Sequence, residues 1–354
     1  MRIWNQNASG GFMTDSPYRV EPFQPVDAEK VSHLFVEIYG DAYPIKTVYD
    51  PEKLIAAFES GHYFPFLVRT DSDRIVAYGA LYHSAPYEGI YEFGQGIVSS
   101  DVRGSGIGRI LFEYVAGYIQ TLPGSEVYFG EAVCSHTHTQ KAGAMIKTIE
   151  TGIEIDLMPA EIYKKDHTVT GRVAVLDMFR SFISKPHTVH VPDTYEDIIR
   201  YIYSGFDDRR TIAVSTGNMP SDQLTEMSVK VFEFAGVARI AVTNSGSDFE
   251  QVFTLNECLL LNQNITVIQI WLKSSWPWIG EAVEVLRKNG YFFGGVFPRW
   301  FDVDGLLMQK VLGQPNWEGI RLYSDRAEII YRFIHGDWEN VRKSPILKEN
   351  IHHE

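Results

Sequence analysis

A chain of 354 residues exceeds one typical domain and predicts two, and its 45% hydrophobic content supplies enough apolar material for two cores. With 45 acidic against 32 basic residues the formal net charge is -13. That argues against nucleic acid or an anionic membrane as partner, because phosphate binding wants clustered Lys and Arg, and it mildly favours a cationic partner such as an amine.

The two cysteines, Cys134 and Cys258, stand far apart and outside any ligand spacing, so neither a disulfide framework nor a metal site is expected. No apolar run reaches the roughly 18 residues of a membrane-spanning helix. Residues 1–17 read as a polar, disordered lead-in rather than a secretory leader, which makes the cytoplasm the expected location.

In chain order, Tyr18–Phe23 reads as a first strand. Asp27 then offers a cap to a helix carrying Val31, Leu34, Phe35 and Ile38 at helical spacing, and Asp50-Pro51 opens a second helix running to Gly61. Tyr63–Arg69 and Arg74–His83 form a hairpin across Thr70–Asp73. A strand over Ile90–Ser100 leads through a Gly-rich turn into a helix over Arg109–Thr121. Strand Glu126–Cys134 follows, then a helix over about Thr139–Thr151 closed by Gly152, and strands at Ile153–Leu157 (with Glu161–Tyr163) and Arg172–Phe179. The economical fold is α/β, a mixed and mostly antiparallel sheet flanked by helices.

Pro186–Pro192 reads as a linker. Beyond it, helices are expected at Tyr195–Tyr203, Phe249–Leu261, Ile279–Asn289 and Tyr323–Val341. Strands are expected at Thr211–Ser215, Arg239–Thr243, Ile265–Leu272 and Gly305–Val311. The division expected is a lead-in over 1–17, one domain over 18–185 and a second of similar topology over 186–354.

The informative motif is Ile97-Val98-Ser99-Ser100-Asp101-Val102-Arg103-Gly104-Ser105-Gly106-Ile107-Gly108-Arg109. Glycines between a strand and a helix let the backbone approach an anion, and the new helix offers unpaired N–H groups and a positive dipole end. Arg103 and Arg109 add charge-assisted donors. The run is a phosphate cradle, but it ends Gly-Arg-Ile rather than Gly-Lys-Ser/Thr, so it is not a nucleotide P-loop. Its glycines at 104, 106 and 108 also miss the G-x-G-x-x-G spacing of a dinucleotide fold.

Arg103, Gly106 and Gly108 match the Arg/Gln-x-x-Gly-x-Gly/Ala signature of the GNAT N-acetyltransferase superfamily, and residues 18 to about 182 resemble that fold in their whole element order. The resemblance implies acetyl-CoA as co-substrate, with no metal. Its diphosphate would be held by the Val102–Arg109 amides, and its pantetheine arm would lie along the strand at Ile97 and Val98, which splays from the next strand. It also implies direct attack by a primary amine. Glu92, upstream on the same strand, is the first candidate for general base, and Glu88 is the fallback.

Many members carry an Asn and a Tyr on the helix after the fifth strand, the Tyr protonating the leaving thiolate. Counted back from Gly152 these positions hold Lys141 and Thr148, so His136, or His138, stands as the alternative acid. The second half resembles the closing part of the same fold, with Asn244–Ser247 at the corresponding turn and neither the Arg nor the paired glycines. It reads as a degenerate copy that lacks acetyl-CoA. The aromatic stretches Trp276–Trp278, Tyr291–Phe293 and Phe297–Phe301 offer a lining for the acceptor pocket, or core.

The function expected is acyl-CoA-dependent N-acetyl transfer to a small-molecule or peptide amine. A non-enzymatic acyl-CoA-binding regulator is the alternative, and transfer of a longer acyl chain a third reading. A homodimer is left open.

Overall fold

The computed structural model describes residues 17–163, 169 and 171–343, together with the pairing of Phe12–Met13. Phe12–Met13 (β1) pairs antiparallel with Tyr18–Pro22 (β2), so the expected lead-in gives two residues to the sheet; the rest of it, to residue 16, lies outside the described residues. Ala28–Tyr39 (α1) and Pro51–Glu59 (α2) follow, then Tyr63–Thr70 (β3), Ile75–Tyr82 (β4) and Ile90–Val98 (β5). Ile107–Tyr118 (α3), Val127–Val133 (β6), His138–Met145 (α4), Ile149–Met158 (β7) and Val173–Ser181 (β8) complete the first half.

α1 buries Val31, Leu34, Phe35 and Ile38 on one face, each contributing about 1.5–3 kcal/mol. Asp27 does not cap α1; its carboxylate accepts from the Gln24 N–H (3.0 Å) and pairs with Arg69. Asp50 does cap α2, accepting from the Lys53 N–H at 3.2 Å.

α4 ends at Met145, well short of Gly152, because Lys147 turns to a left-handed φ of 63° and the β-branched alternation from Ile149 onward takes the chain into β7. Glu161–Tyr163, expected as strand, lies in a short 3-10 turn.

The second half comprises His187–Val191 (β9), Glu196–Tyr203 (α5), Arg210–Val214 (β10), Glu226–Phe232 (β11), Val237–Asn244 (β12), Phe249–Leu261 (α6), Val267–Lys273 (β13), Ile279–Lys288 (α7), Phe292–Phe297 (β14), Gly305–Val311 (β15) and Asp325–Lys343 (α8). The stretch read as a linker is β9, whose Val189 and Val191 are buried and which pairs in parallel with β10. β11 and β14 have no counterpart in the sequence reading.

Among the described residues, all strands except β9 and β10 join one 13-stranded sheet ordered β1-β2-β3-β4-β5-β6-β8-β7-β14-β15-β13-β12-β11. The pairing is antiparallel for β4–β5, parallel for β5–β6, and antiparallel for β6–β8 and β7–β8. β11–β12, β12–β13, β13–β15 and β14–β15 repeat that sequence of directions.

The halves meet where β7 pairs antiparallel with β14 at Gly152 and Gly295. A Cβ on Gly295 would fall 2.4 Å from the Gly152 Cα, so the approach requires glycine at this seam. The buried Gln309 amide stitches β15 to β7: its Oε1 accepts from the Ile155 N–H (2.8 Å) and its Nε2 donates to the Ile153 carbonyl (2.9 Å). α8 packs over β7 and β14.

One hydrophobic cluster runs through the seam, joining Ile153, Ile155 and Leu176 to Phe292, Phe293, Ile270 and Ile330. The aromatic stretches are core rather than pocket lining: Phe297 and Trp300 pack with Trp271, Phe129 and Phe179 between the halves. Among the described residues, no helix is long and apolar enough to cross a membrane.

Candidate functional site

β5 and β6 pair in parallel only from Ile90–Glu92 against Val127–Phe129; β5 then runs on to Val98 and β6 to Val133 unpaired, leaving a V-shaped opening. β5 also bulges. Tyr78 faces Ile97 and Ala80 faces Gly94, so Gln95 and Gly96 together oppose Gly79, and Gln95 takes φ 56°. The Tyr63 hydroxyl donates to the Gln95 side chain and fixes the bulge.

The Ser99 N–H donates to the Val76 carbonyl (2.8 Å) across the Ala77–Val98 pair. That pattern makes Ala77–Val98 a non-hydrogen-bonded pair, with the N–H and C=O of Val98 turned from β4 toward the opening. The Val98 carbonyl accepts from Arg103 Nε at 3.2 Å, so Arg103 is anchored at the mouth of the turn.

Within the turn, the amides of Val102, Arg103 and Ser105 donate to the carbonyls of Ser99, Ser100 and Val102. Those of Gly104, Gly106, Ile107, Gly108 and Arg109 find no partner among the described hydrogen bonds. Gly104 (φ 81°) and Gly106 (φ 86°) are left-handed and exposed, and a Cβ built on either meets nothing within 4 Å. The corner is an open set of donors at the N-terminus of α3, which fits a diphosphate. Of the expected turn amides, five are available and three are used internally. Arg109 pairs with Glu113 at 2.8 Å, on the exposed side of α3.

Behind the turn a narrow cleft enters the splay, lined by Phe93, Phe112, Tyr128, Glu131, Thr148 and Met178 among others. Glu92 is buried where the strands part, and Tyr82 donates to its Oε1 at 2.6 Å. Burial, with the like charge of Glu131, pushes the Glu92 carboxyl up to about 7 against the pull of Ser84 and Tyr82. A carboxyl poised there takes up a proton at neutral pH.

Of the other candidates, Glu88 is exposed on the loop before β5. His136 lies in the loop after β6 with its ring 5.2 Å from His138, and neither ring lines the cleft. Gly152 is no helix terminus, so the count back from it loses its landmark. Thr148 nevertheless faces the cleft, and its buried Oγ1 has no hydrogen-bond partner there. Sequence reasoning missed Glu131, Tyr82 and Arg239, which carry no local motif and are assembled by strand pairing. Among the described residues, no group of three or more His, Cys, Asp or Glu could hold a metal ion.

The corresponding corner of the second half, between β12 and α6, is filled. The Gly246 N–H donates to Thr225 Oγ1 (3.0 Å) and the Ser247 N–H to the Pro220 carbonyl (2.9 Å). A Cβ on Gly246 would lie 1.9 Å from the Gln223 carbonyl oxygen.

Residues 28–141 match the model of the Acetyltransferase (GNAT) family. Among solved structures, the chain is similar to the ribosomal-protein-S5-alanine acetyltransferase of Vibrio fischeri, at 13% identity over 48% of this chain and 96% of that one, with TM-score 0.40. It is similar to the ribosomal-protein-S18-alanine N-acetyltransferase of Escherichia coli, at 16% identity over 48% and 96%, with TM-score 0.38. A Vibrio cholerae spermidine N-acetyltransferase chimera gives 16% identity over 47% and 96%, with TM-score 0.36. No curated protein matches the sequence.

Proposed function

We propose that this chain, whose residues 28–141 match the Acetyltransferase (GNAT) family, is an N-acetyltransferase that acetylates the primary amine of a cationic acceptor by direct attack, with Glu92 as general base. The observation that carries this reading is the pairing of an open amide corner with a buried carboxyl, Glu92, at the last residue pair before β5 and β6 part.

Acetyl-CoA, when bound, supplies the activated acyl group as a thioester. The amides of Gly104, Gly106, Ile107, Gly108 and Arg109, with Arg103, are the donors for its diphosphate. The Val98 N–H is the donor that β5 turns into the opening. Glu92 would take the proton an ammonium must lose before it can attack. Tyr82, donating to Glu92 Oε1, keeps the other carboxyl oxygen oriented for that transfer. Glu92 and Glu131 favour a cationic acceptor, as does the net charge of -13. His136 would act as acid only through movement of its loop; a thiolate leaves adequately without one.

The test is acetyl-CoA consumption across a mixed library of primary amines. We expect turnover with cationic amines and a fall of about 10²–10⁴-fold in Glu92→Gln. A protein that binds CoA yet turns over no amine would instead support the regulator reading, in keeping with a threonine at position 148.

A further inference from the structure

The second half has no open diphosphate corner, yet one of its side chains reaches a residue that lines the cleft of the first, Glu131. Arg239, on β12, places Nη2 3.0 Å from Glu131 Oε1 on β6 and 2.9 Å from Glu154 Oε2 on β7. Its Nε donates to Gln269 Oε1 on β13 at 2.9 Å, and its guanidinium lies 5.5 Å from the ring centroids of both Phe232 and Trp271. These contacts from two strands of each half hold the planar fork in one orientation.

We propose that Arg239 is a positioning residue of the acetyl-transfer site: it fixes Glu131 in the cleft wall and sets the pH at which Glu92 can work. The proposal rests on the reading of Glu92 as the base.

Adjacent strands β5, β6, β7 and β8 bring Glu92, Glu131, Glu154 and Asp177 together. Among the described residues, Arg239 is the one cation in an ion pair with any of them. An isolated buried ion pair adds little net stability over apolar packing, so stability alone does not account for an arginine reaching across the molecule. Its consequence is electrostatic. Burial and Glu131 raise Glu92 while Arg239 opposes them, and burial, Glu154 and Glu131 push Asp177 well above the usual carboxylate range. The groups facing Glu92 are Tyr82 and Ser84 from β4 and its end, Tyr43 from the loop after α1, Glu131 from β6 and Arg239 from β12. Tyr163, after β7, faces Glu131. Arg239 opposes the rise of Glu92, Glu154 and Asp177 alike, so removing that fixed positive charge raises all three.

Arg239→Gln should therefore move the acid limb of kcat/KM to higher pH, by on the order of one unit for the loss of one nearby charge at an effective dielectric near 20. Arg239→Lys should bring the limb back. A carbon-13 NMR titration of glutamate-labelled protein, with the Glu92 signal assigned by its loss in Glu92→Gln, should show the same displacement without acetyl-CoA. A Glu92 midpoint unmoved in Arg239→Gln would overturn this role alone. Turnover that survives Glu92→Gln would overturn the base and this role together. Should Arg239→Gln not fold, Glu131→Gln removes the neighbouring like charge and must lower the Glu92 midpoint; no movement overturns the proposal.

Discussion

Gly106→Ala isolates the diphosphate corner from the rest of the molecule. Gly106 sits at φ 86°, ψ 4°, and a Cβ there meets nothing within 4 Å, so no steric clash is introduced. The cost is the left-handed backbone alone, about 1–2 kcal/mol. Part of that strain is relieved if the peptide turns out of the left-handed region, and this swings the Gly106 and Ile107 N–H groups away from the corner. Hydrogen bonds to a charged group contribute about 1.5–3 kcal/mol each. Losing two weakens CoA binding by about 3–6 kcal/mol, or roughly 10²–10⁴ in Kd.

The assay is calorimetric titration with CoA, beside thermal unfolding with and without it. Gly117→Ala is the control: it is exposed in the last turn of α3 with open space around its Cβ position. It should raise Tm slightly, by up to about 1 kcal/mol of helix propensity, and leave CoA binding unchanged. Wild-type CoA affinity in Gly106→Ala, with its apo stability lowered as expected, would refute the assignment of these amides.

Three further substitutions test the site and its frame. Glu92→Gln keeps an acceptor for the Tyr82 hydroxyl and removes a buried charge, so Tm should hold or rise while kcat falls. In the wild type, kcat/KM should climb as pH rises through about 7, where the carboxyl loses its proton, and a pH–rate profile reads this limb directly. Asp304 is buried against Arg210 (2.6 Å) and His187 (3.3 Å); burial works against its ionisation, but these partners hold it well below the ordinary carboxylate range. Its contribution is present above the unfolded value of about 4 and lost as pH falls. That of His187, raised by its bond to Asp304, is present in acid and lost as pH rises through its elevated value. Asp304→Asn leaves Arg210 with Asp208 alone (3.0 Å), so it should cost about 1–3 kcal/mol in urea melts near neutrality and should flatten both limbs. Gln309→Leu leaves the Ile153 carbonyl and the Ile155 N–H unpaired in the seam, at about 1–3 kcal/mol each, read as a drop in Tm.

The turn was legible because its chemistry is local. Arg103, Gly106 and Gly108 are consecutive enough for one short run to state both the backbone geometry and the ligand it suits. Amphipathic helices such as α7 and β-branched strands such as β13 were legible for the same reason: period and propensity agree within one segment. α4 was misread because the chain leaves the helix after Met145 through Lys147 in left-handed geometry, and Gly152, which looked like a cap, is needed for close approach to Gly295. The prolines at 186 and 192 masked β9, whose alternating valines were the truer signal. β14 reads as an aromatic run because both its faces are buried, and such a strand loses the alternation that marks a half-exposed one. Arg239 was illegible in principle, since its partners lie 108 and 85 positions away along the chain and only the shared sheet unites them.

The same contrast between local and assembled features predicts one CoA per chain. The two corners occupy equivalent places, each between a strand that pairs in parallel with the next and the helix between them. In the first, the donors are exposed and an arginine stands at the entrance. In the second, the Gly246 and Ser247 amides are consumed by Thr225 and Pro220, and the Thr225 hydroxyl in turn donates to Asp248 at 2.7 Å. Opening that corner would break these bonds and leave the Asp248 carboxylate facing a doubly anionic diphosphate, a like-charge contact at the helix N-terminus where an anion would otherwise be welcome. Calorimetric titration of the intact chain with CoA should saturate at one equivalent, and Gly106→Ala should abolish that single isotherm. Two equivalents, or a second isotherm that persists in Gly106→Ala, would show that the segment around Gln223 yields and that the second corner is a working site.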